Sequence, residues 1–132
     1  MSRRMLQIVM AILGIVPVTT GLIGLRGLND PLYAPVSTPH AVLLDTNLRF
    51  FSGVWLGLGL ALLWLIPSIE KQTTLFRVMW GMIFVGGIGR VLSISAAGTP
   101  PAPFIFFTML EIVGAPLFIY WQDRVAKSAA TA

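Results

Sequence analysis

The chain has 132 residues, of which 56% are hydrophobic and only 11% are charged. A soluble domain carries about 25% charged residues, so this composition excludes a water-soluble globule and a disordered chain. The net charge of +4 does not indicate a nucleic-acid partner, because no basic run is longer than Arg3-Arg4. The absence of cysteine excludes disulfides, thiolate catalysis and metal sites with cysteine ligands.

Four apolar stretches are each long enough to cross a membrane. About 20 helical residues span the ~30 Å hydrocarbon core, and a single spanning segment must be a helix to satisfy its backbone hydrogen bonds. The first stretch is predicted to be a retained helix, because no small-residue cleavage site follows it. We therefore predict an all-α integral membrane protein with one domain, a four-helix bundle over residues 1–132. Its transmembrane helices are predicted at about 5–28, 47–66, 75–96 and 104–121.

The longest predicted connection is the first outer loop, at about 29–46, which is rich in proline and other turn-forming residues. Within it, Thr38 is predicted to cap a short helix that has Pro39 at its first position and ends at Leu44. This loop either carries function or covers the bundle. His40 is the one histidine and makes a poor metal site alone, so we expect no metal and no cofactor.

The distribution of basic residues predicts the orientation of the spans. The N-terminal tail, the second connection and the C-terminal tail together carry six basic residues against Glu70 and Asp123, which leaves a net charge of +4. The opposite side has three basic and three acidic residues, so its net charge is zero. Positive charge favours the cytoplasmic side. Both termini are therefore predicted to be cytoplasmic, in a bacterial inner membrane.

Small residues at helical spacing predict the faces through which the helices pack. Lipid provides no hydrophobic drive for helix association, so close packing depends on small side chains. The predicted faces are Gly14, Pro17, Gly21 and Gly24 on the first helix; Arg49, Gly53, Gly57 and Ala61 on the second; Gly86, Arg90, Ser93 and Ala97 on the third; and Thr108, Glu111, Gly114 and Ala115 on the fourth. The three charged members of these faces are predicted to point into the bundle.

Arg90 and Glu111 are predicted to pair. Arg90 lies seven residues before Ala97, and Glu111 lies seven residues after Phe104, which places both at a depth of about 10 Å. An unpaired charge there is costly. Arg49 lies nearer the outer surface, beside Asp45 and Asn47, and is predicted to join the same polar cluster. Two interpretations stay open. The cluster is either a structural ion pair or a pocket where an arginine binds an anionic group and Glu111 accepts or relays a proton.

No catalytic motif is present in the sequence. The glycine-rich run at residues 86–89 lies inside an apolar helix and is not a phosphate loop. Ser93 and Ser95 are expected to bond to backbone carbonyls of their own helix. Pro17 and Pro116 predict kinks in the first and fourth helices. No catalytic residue is therefore predicted.

Several segments resemble a family of small bacterial membrane proteins that is catalogued as a domain of unknown function. The segments 45–53 and 56–59 resemble its second-helix pattern, and the segments 86–93 and 98–100 resemble its third-helix pattern. Glu111, with Pro116 and Trp121, resembles the fourth. The resemblance implies a four-helix bundle, loosely similar to the DoxX-like group, and draws attention to the same charged residues. It implies no substrate.

The sequence favours a small membrane protein without enzymatic activity, either an accessory subunit or a lipid-interacting protein. The alternative is binding or transport of a small anionic or amphipathic molecule through a pocket of Arg49, Arg90, Glu111, Asp45 and Asn47. A membrane enzyme with Glu111 as general acid or base ranks last, because one buried carboxylate leaves few groups for chemistry. The expected partners are membrane lipids, such a ligand, and a larger membrane complex or a second copy, with no nucleic acid.

Overall fold

The computed structural model of the protein describes residues 2–36 and 41–131, and these residues form helices without any strand. Four long helices follow one another: α1 Arg3–Leu25, α2 Val42–Leu65, α3 Thr73–Ala97 and α4 Ala102–Ala130. Each helical segment is long and apolar enough to cross a membrane. The four predicted spans are thereby confirmed, and they indicate a multi-pass membrane protein.

The chain divides into two compact units. One unit is Gln7–Ile66 and contains α2 and all of α1 except its first four residues; we call it the first hairpin. The other joins the described residues up to Leu6 with those from Pro67 onward and contains α3 and α4, the second hairpin. The arrangement of all four helices in one bundle, and the single domain, stay predictions.

The ends of α1 and α2 differ from the predicted ones. α1 ends at Leu25 rather than near residue 28, because Gly27 has a φ of 71° and a 3-10 turn follows at Gly27–Asn29. α2 begins at Val42 rather than near residue 47. Asp45 lies in its first turn, where a negative charge interacts favourably with the amino end of a helix.

The connection between α1 and α2 is more regular than predicted. A second 3-10 segment, Pro31–Val36, follows the one at Gly27–Asn29. Thr38, Pro39 and His40, on which the predicted short helix depends, lie outside the described residues. The last three residues assigned to it, 42–44, form the start of α2, so a separate helix that ends at Leu44 is wrong.

α4 continues to Ala130, well beyond the predicted end at residue 121. Its last turns are polar, and Lys127 Nζ lies 2.7 Å from Asp123 Oδ2, one turn away. Such i,i+4 pairs stabilise a helix in water. The apolar pattern therefore predicted where the chain can cross a membrane and not where the helix ends.

In the first hairpin, α1 and α2 approach closely through glycines. A Cβ at Gly21 would lie 2.8 Å from Leu56 Cβ and 2.9 Å from the Ser52 carbonyl oxygen. From the other side, a Cβ at Gly59 would lie 2.9 Å from Pro17 Cγ. The predicted face of α1 is therefore the packing face.

The predicted packing face of α2 is wrong. A Cβ at Gly57 would meet nothing within 4 Å, and one at Gly53 would meet only Leu25 Cδ2, at 3.7 Å. Residues four apart on an α-helix are offset by about 40°, so a stripe at that spacing turns away from its starting face. Ser52 and Gly59, which do contact α1, are seven residues apart and therefore differ by only about 20° around the helix.

The second hairpin is antiparallel, and α3 and α4 contact along most of their length. Gln122 Nε2 donates to Thr73 Oγ1 at 2.9 Å near one end, and the rings of Trp80 and Phe118 lie 4.7 Å apart further along. The two helices are joined by a short connection that begins at Gly98, which has a φ of 96°. The tight connection confirms that α3 and α4 are antiparallel neighbours.

The packing face is correctly predicted on α4 and only in part on α3. All four predicted α4 residues, Thr108, Glu111, Gly114 and Ala115, are buried. On α3, however, Gly86 is exposed and has open space around it, whereas the adjacent Gly87 is buried. The α3 face is rotated by about one residue from the predicted one, which leaves Arg90 at its edge.

α4 contains a π-helical segment, Leu110–Gly114, between the α-helical segments Ala102–Met109 and Ala115–Ala130. Pro116 lies two residues after this segment and lacks the N–H that would bond one turn back. A proline and a π-helical turn are two usual causes of helix kinks and often mark functional positions. Glu111 lies within this irregular turn.

The Gly21→Ala variant tests the packing of the first hairpin. The added methyl group must push against backbone atoms of α2, so we expect the protein to lose about 1–3 kcal/mol of stability. The matched control is Gly57→Ala, because that methyl group meets no neighbour. Thermal unfolding in detergent, followed by tryptophan fluorescence, should separate the two variants; equal melting temperatures would contradict this packing.

Candidate functional site

The predicted pairing of Arg90 with Glu111 is confirmed in the second hairpin. Arg90 Nε lies 2.8 Å from Glu111 Oε2 and donates its hydrogen bond to Oε1 at 3.1 Å. The Glu111 side chain is 9% exposed and the Arg90 side chain is 38% exposed. One partner is therefore enclosed by protein and the other reaches the surface of the hairpin.

Gly87 allows this pair to form. It lies one turn before Arg90, and a Cβ there would be 2.8 Å from Glu111 Cβ and 3.0 Å from Ile112 Cδ1. Only a glycine lets α3 approach the π-helical turn this closely. The close approach brings the short Glu111 side chain within reach of the arginine.

An open cleft of about 240 Å³ adjoins Arg90 at the end of the second hairpin where α3 connects to α4. It is lined by Arg90, Ser93, Ile94, Gly98, Pro100, Phe104 and Thr108. The ring of Phe104 lies 5.8 Å from the guanidinium carbon of Arg90, a cation–π distance. The cleft thus combines one cation with an aromatic ring and an aliphatic wall.

Arg90 has unused hydrogen-bonding capacity at this cleft. A guanidinium has five N–H donors, and within the described residues only Nε of Arg90 donates a hydrogen bond. On the other partner, Glu111 Oε2 is buried and accepts no hydrogen bond from any described group. The charges of the ion pair balance, but Arg90 has unused N–H donors and Glu111 has an unused acceptor oxygen among the described residues.

The remaining predicted residues of the polar cluster belong to the first hairpin. Arg49 Nε donates to Asp45 Oδ2 at 2.7 Å, and its Nη1 donates to the Leu25 carbonyl oxygen at 2.7 Å. Asp45 Oδ1 in turn accepts the backbone N–H of Leu28 at 2.8 Å. This pair fastens the start of α2 to the end of α1.

Gly27 is required beside this pair. Besides its positive φ, a Cβ at Gly27 would clash with Asp45 Oδ1 and with the guanidinium of Arg49. All three nitrogens of Arg49 have acceptors. Asn47 is exposed and forms no side-chain hydrogen bond with a described residue. Arg90 with Glu111, and Arg49 with Asp45, are thus two separate ion pairs, one in each hairpin.

Sequence reasoning missed three features of the second hairpin. Phe104 and Thr108 line the cleft, and their spacing with Glu111 on one face of α4 was the available signal. Ser93 and Ser95 were expected to bond to their own helix backbone, and Ser95 does so, to Val91 at 3.0 Å. Ser93 forms no such bond with a described residue and is one of the residues that line the cleft. The third feature is Gln122, which is fully buried and donates to the Ile69 carbonyl oxygen at 2.9 Å.

These features define a helical protein with four segments able to cross a membrane and a half-buried ion pair beside an open cleft. The family described as "Domain of unknown function (DUF4345)" matches residues 5–122, and the chain belongs to that family. The predicted resemblance to a domain of unknown function is thereby confirmed, and the similarity to the DoxX-like group stays a prediction. No curated protein and no solved structure matches the chain.

The Gly87→Ala variant tests how the ion pair is built. Its methyl group would contact Glu111 Cβ, which lies next to the backbone, so we expect α3 and α4 to separate and the protein to lose about 1–3 kcal/mol. Gly86→Ala is the matched control one residue away, where the added methyl group meets open space. Melting temperatures in detergent check both; a Gly86→Ala loss as large as that of Gly87→Ala would contradict the assigned face.

Proposed function

We propose that the protein is a non-enzymatic membrane protein that binds a small anionic, amphipathic molecule, with a lipid as the first candidate, in the cleft beside Arg90. The observation that supports this most is the free side of the Arg90 guanidinium, whose Nη groups have no partner among the described residues. Glu111 holds the guanidinium by Nε and leaves those donors available. Arginine in this state is suited to a carboxylate or a phosphate group, which it binds with two parallel hydrogen bonds.

The remainder of the cleft suits an apolar chain. Ile94, Pro100 and Phe104 contribute aliphatic and aromatic surface, and Ser93 adds one hydroxyl near the cation. Ligand sites in proteins usually combine an apolar lining with a few placed polar groups. A molecule with an anionic head and an apolar tail satisfies both parts of this cleft.

The sequence favoured a non-enzymatic accessory or lipid-interacting protein, with binding of a small anionic or amphipathic molecule as the alternative, and this proposal combines the two. A lipid-interacting protein and a binder of small amphipathic anions become the same activity if the ligand is an anionic lipid. Arg49 and Asp45 are left out of the proposed site, because their hydrogen bonds already join α1 to α2. An accessory role in a larger complex is compatible with lipid binding. An enzyme ranks last, since Glu111 has only Arg90 as a charged neighbour in the second hairpin.

We also propose a bacterial inner membrane as the location, with both termini in the cytoplasm. The asymmetry of basic residues supports this orientation through the positive-inside rule. In that orientation, the connection from α3 to α4 and the adjoining cleft face the outer side. A ligand would then enter from the outer leaflet or from the space beyond it.

Native mass spectrometry of the protein, extracted gently from its own membranes, tests the proposed binding. We expect a discrete bound mass in the lipid or small-molecule range. The double variant Arg90→Gln with Glu111→Gln should lose it, because it removes the cation without leaving a buried carboxylate uncompensated. A protein partner found in place of a ligand would favour the accessory role.

Arg77→Gln is the matched control for this experiment. Arg77 is the other arginine of α3 and pairs with Asp123 at 2.8 Å, and Asp123 keeps Lys127 as a second partner in the variant. The control should retain the bound mass at wild-type occupancy. Equal ligand loss in the control and the double variant, or a wild-type protein without any bound mass, would refute the proposal.

A further inference from the structure

We propose that anion binding at Arg90 is coupled to the uptake of one proton by Glu111. This inference rests on the proposed function and adds to it, because it assigns a second reactant, H⁺, to the same site. It is carried by the geometry of the ion pair: a carboxylate enclosed by protein, an arginine that reaches an open cleft, and a buried carboxylate oxygen that accepts no hydrogen bond from any described residue.

The charge balance of the site requires a compensating change when an anion binds. Without ligand, the positive Arg90 and the negative Glu111 neutralise each other. An anion on the free guanidinium N–H groups would bring the site to a net charge of −1 between two apolar helices, where an uncompensated charge is costly. A proton on Glu111 restores neutrality, with the ligand replacing the carboxylate as the counter-ion of Arg90.

Glu111 has a place for that proton. Its Oε1 accepts the hydrogen bond from Arg90 Nε, and this bond is compatible with a neutral carboxyl group. Its Oε2 lies 2.8 Å from Arg90 Nε but accepts no hydrogen bond from a described group, so an O–H bond directed away from the arginine can form there. The proton comes from bulk water, and no other bond is formed or broken.

No second titratable group of the second hairpin competes for this role. On α3 the other charged residue is Arg77, thirteen residues before Arg90 and about 20 Å away along the helix. On α4 the nearest is Asp123, which is already paired with Arg77 and Lys127. Arg90 is therefore the one charged side chain of the described hairpin that faces Glu111.

Titration calorimetry with decanesulfonate tests the coupling on the purified full-length protein in a neutral detergent. A sulfonate does not titrate near neutral pH, so any proton taken up belongs to the protein. Binding enthalpies measured at one pH, in buffers of different ionisation enthalpy, yield the number of protons taken up. We expect about one proton per bound ligand, and an affinity that weakens with rising pH, by up to about tenfold per pH unit.

Two variants identify the group that takes up the proton. In Glu111→Gln the amide oxygen can still accept from Arg90 Nε, so we expect the sulfonate to bind at least as tightly and without proton uptake. His40 is the one histidine of the sequence, and histidine is the residue type whose ordinary pKa lies near neutral pH. His40→Gln should keep the full proton uptake. The pH dependence of wild-type affinity tests the coupling even if the Glu111 variant does not fold.

The possible failures are distinguishable. Sulfonate binding without proton uptake, and with an affinity independent of pH, overturns the coupling and leaves the proposed function intact. Proton uptake that persists in Glu111→Gln also overturns it, because another group must then be responsible. No sulfonate binding to the wild-type protein counts against the proposed function itself, and with it against this inference.

Discussion

A charge on an apolar helix must be neutralised by a nearby partner, because lipid and packed side chains cannot solvate it. The ion pair of Arg90 with Glu111 meets this constraint in the second hairpin, and much of the local structure serves it. Gly87 lets the two helices approach, the irregular turn of α4 carries the carboxylate, and the short connection keeps both charges at one depth. The cleft forms where this pair meets the end of the hairpin.

The two ion pairs formed by the predicted polar cluster differ in how completely their hydrogen-bonding groups are satisfied. Arg49 donates to Asp45 and to a backbone carbonyl of α1, and Asp45 accepts a backbone N–H of the turn that follows α1. Such a pair is typical of a structural contact between two helices. Arg90 and Glu111 each keep an atom that bonds to no described group. An ion pair whose hydrogen-bonding groups are all used contributes to stability. An ion pair with unused donors next to a cleft can also bind a ligand. This contrast is the physical basis for placing the ligand at Arg90.

Hydropathy and charge predicted much of the fold and part of the site. Twenty-residue apolar runs located the spans, and the equal depth of two opposite charges predicted their pairing. The four-residue spacing of small residues predicted the wrong face at Gly57 and at Gly86. One helix can have several faces with glycines, and the sequence does not show which of them contacts the partner helix. The cleft could not be predicted, since its wall depends on the rotation of α3 and on the irregular turn of α4. The continuation of α4 was missed because polar helical turns carry no hydropathy signal.

The length of α4 has a consequence for the rest of the molecule. At 1.5 Å per residue, a helix from Ala102 to Ala130 extends about 43 Å, compared with about 30 Å for the hydrocarbon core. Tilting absorbs part of such an excess, and the polar last turns are suited to stand in water as a rigid extension of the span. A spectroscopic label on those turns would therefore report the tilt of the segment of α4 that follows Glu111, without a flexible tether in between.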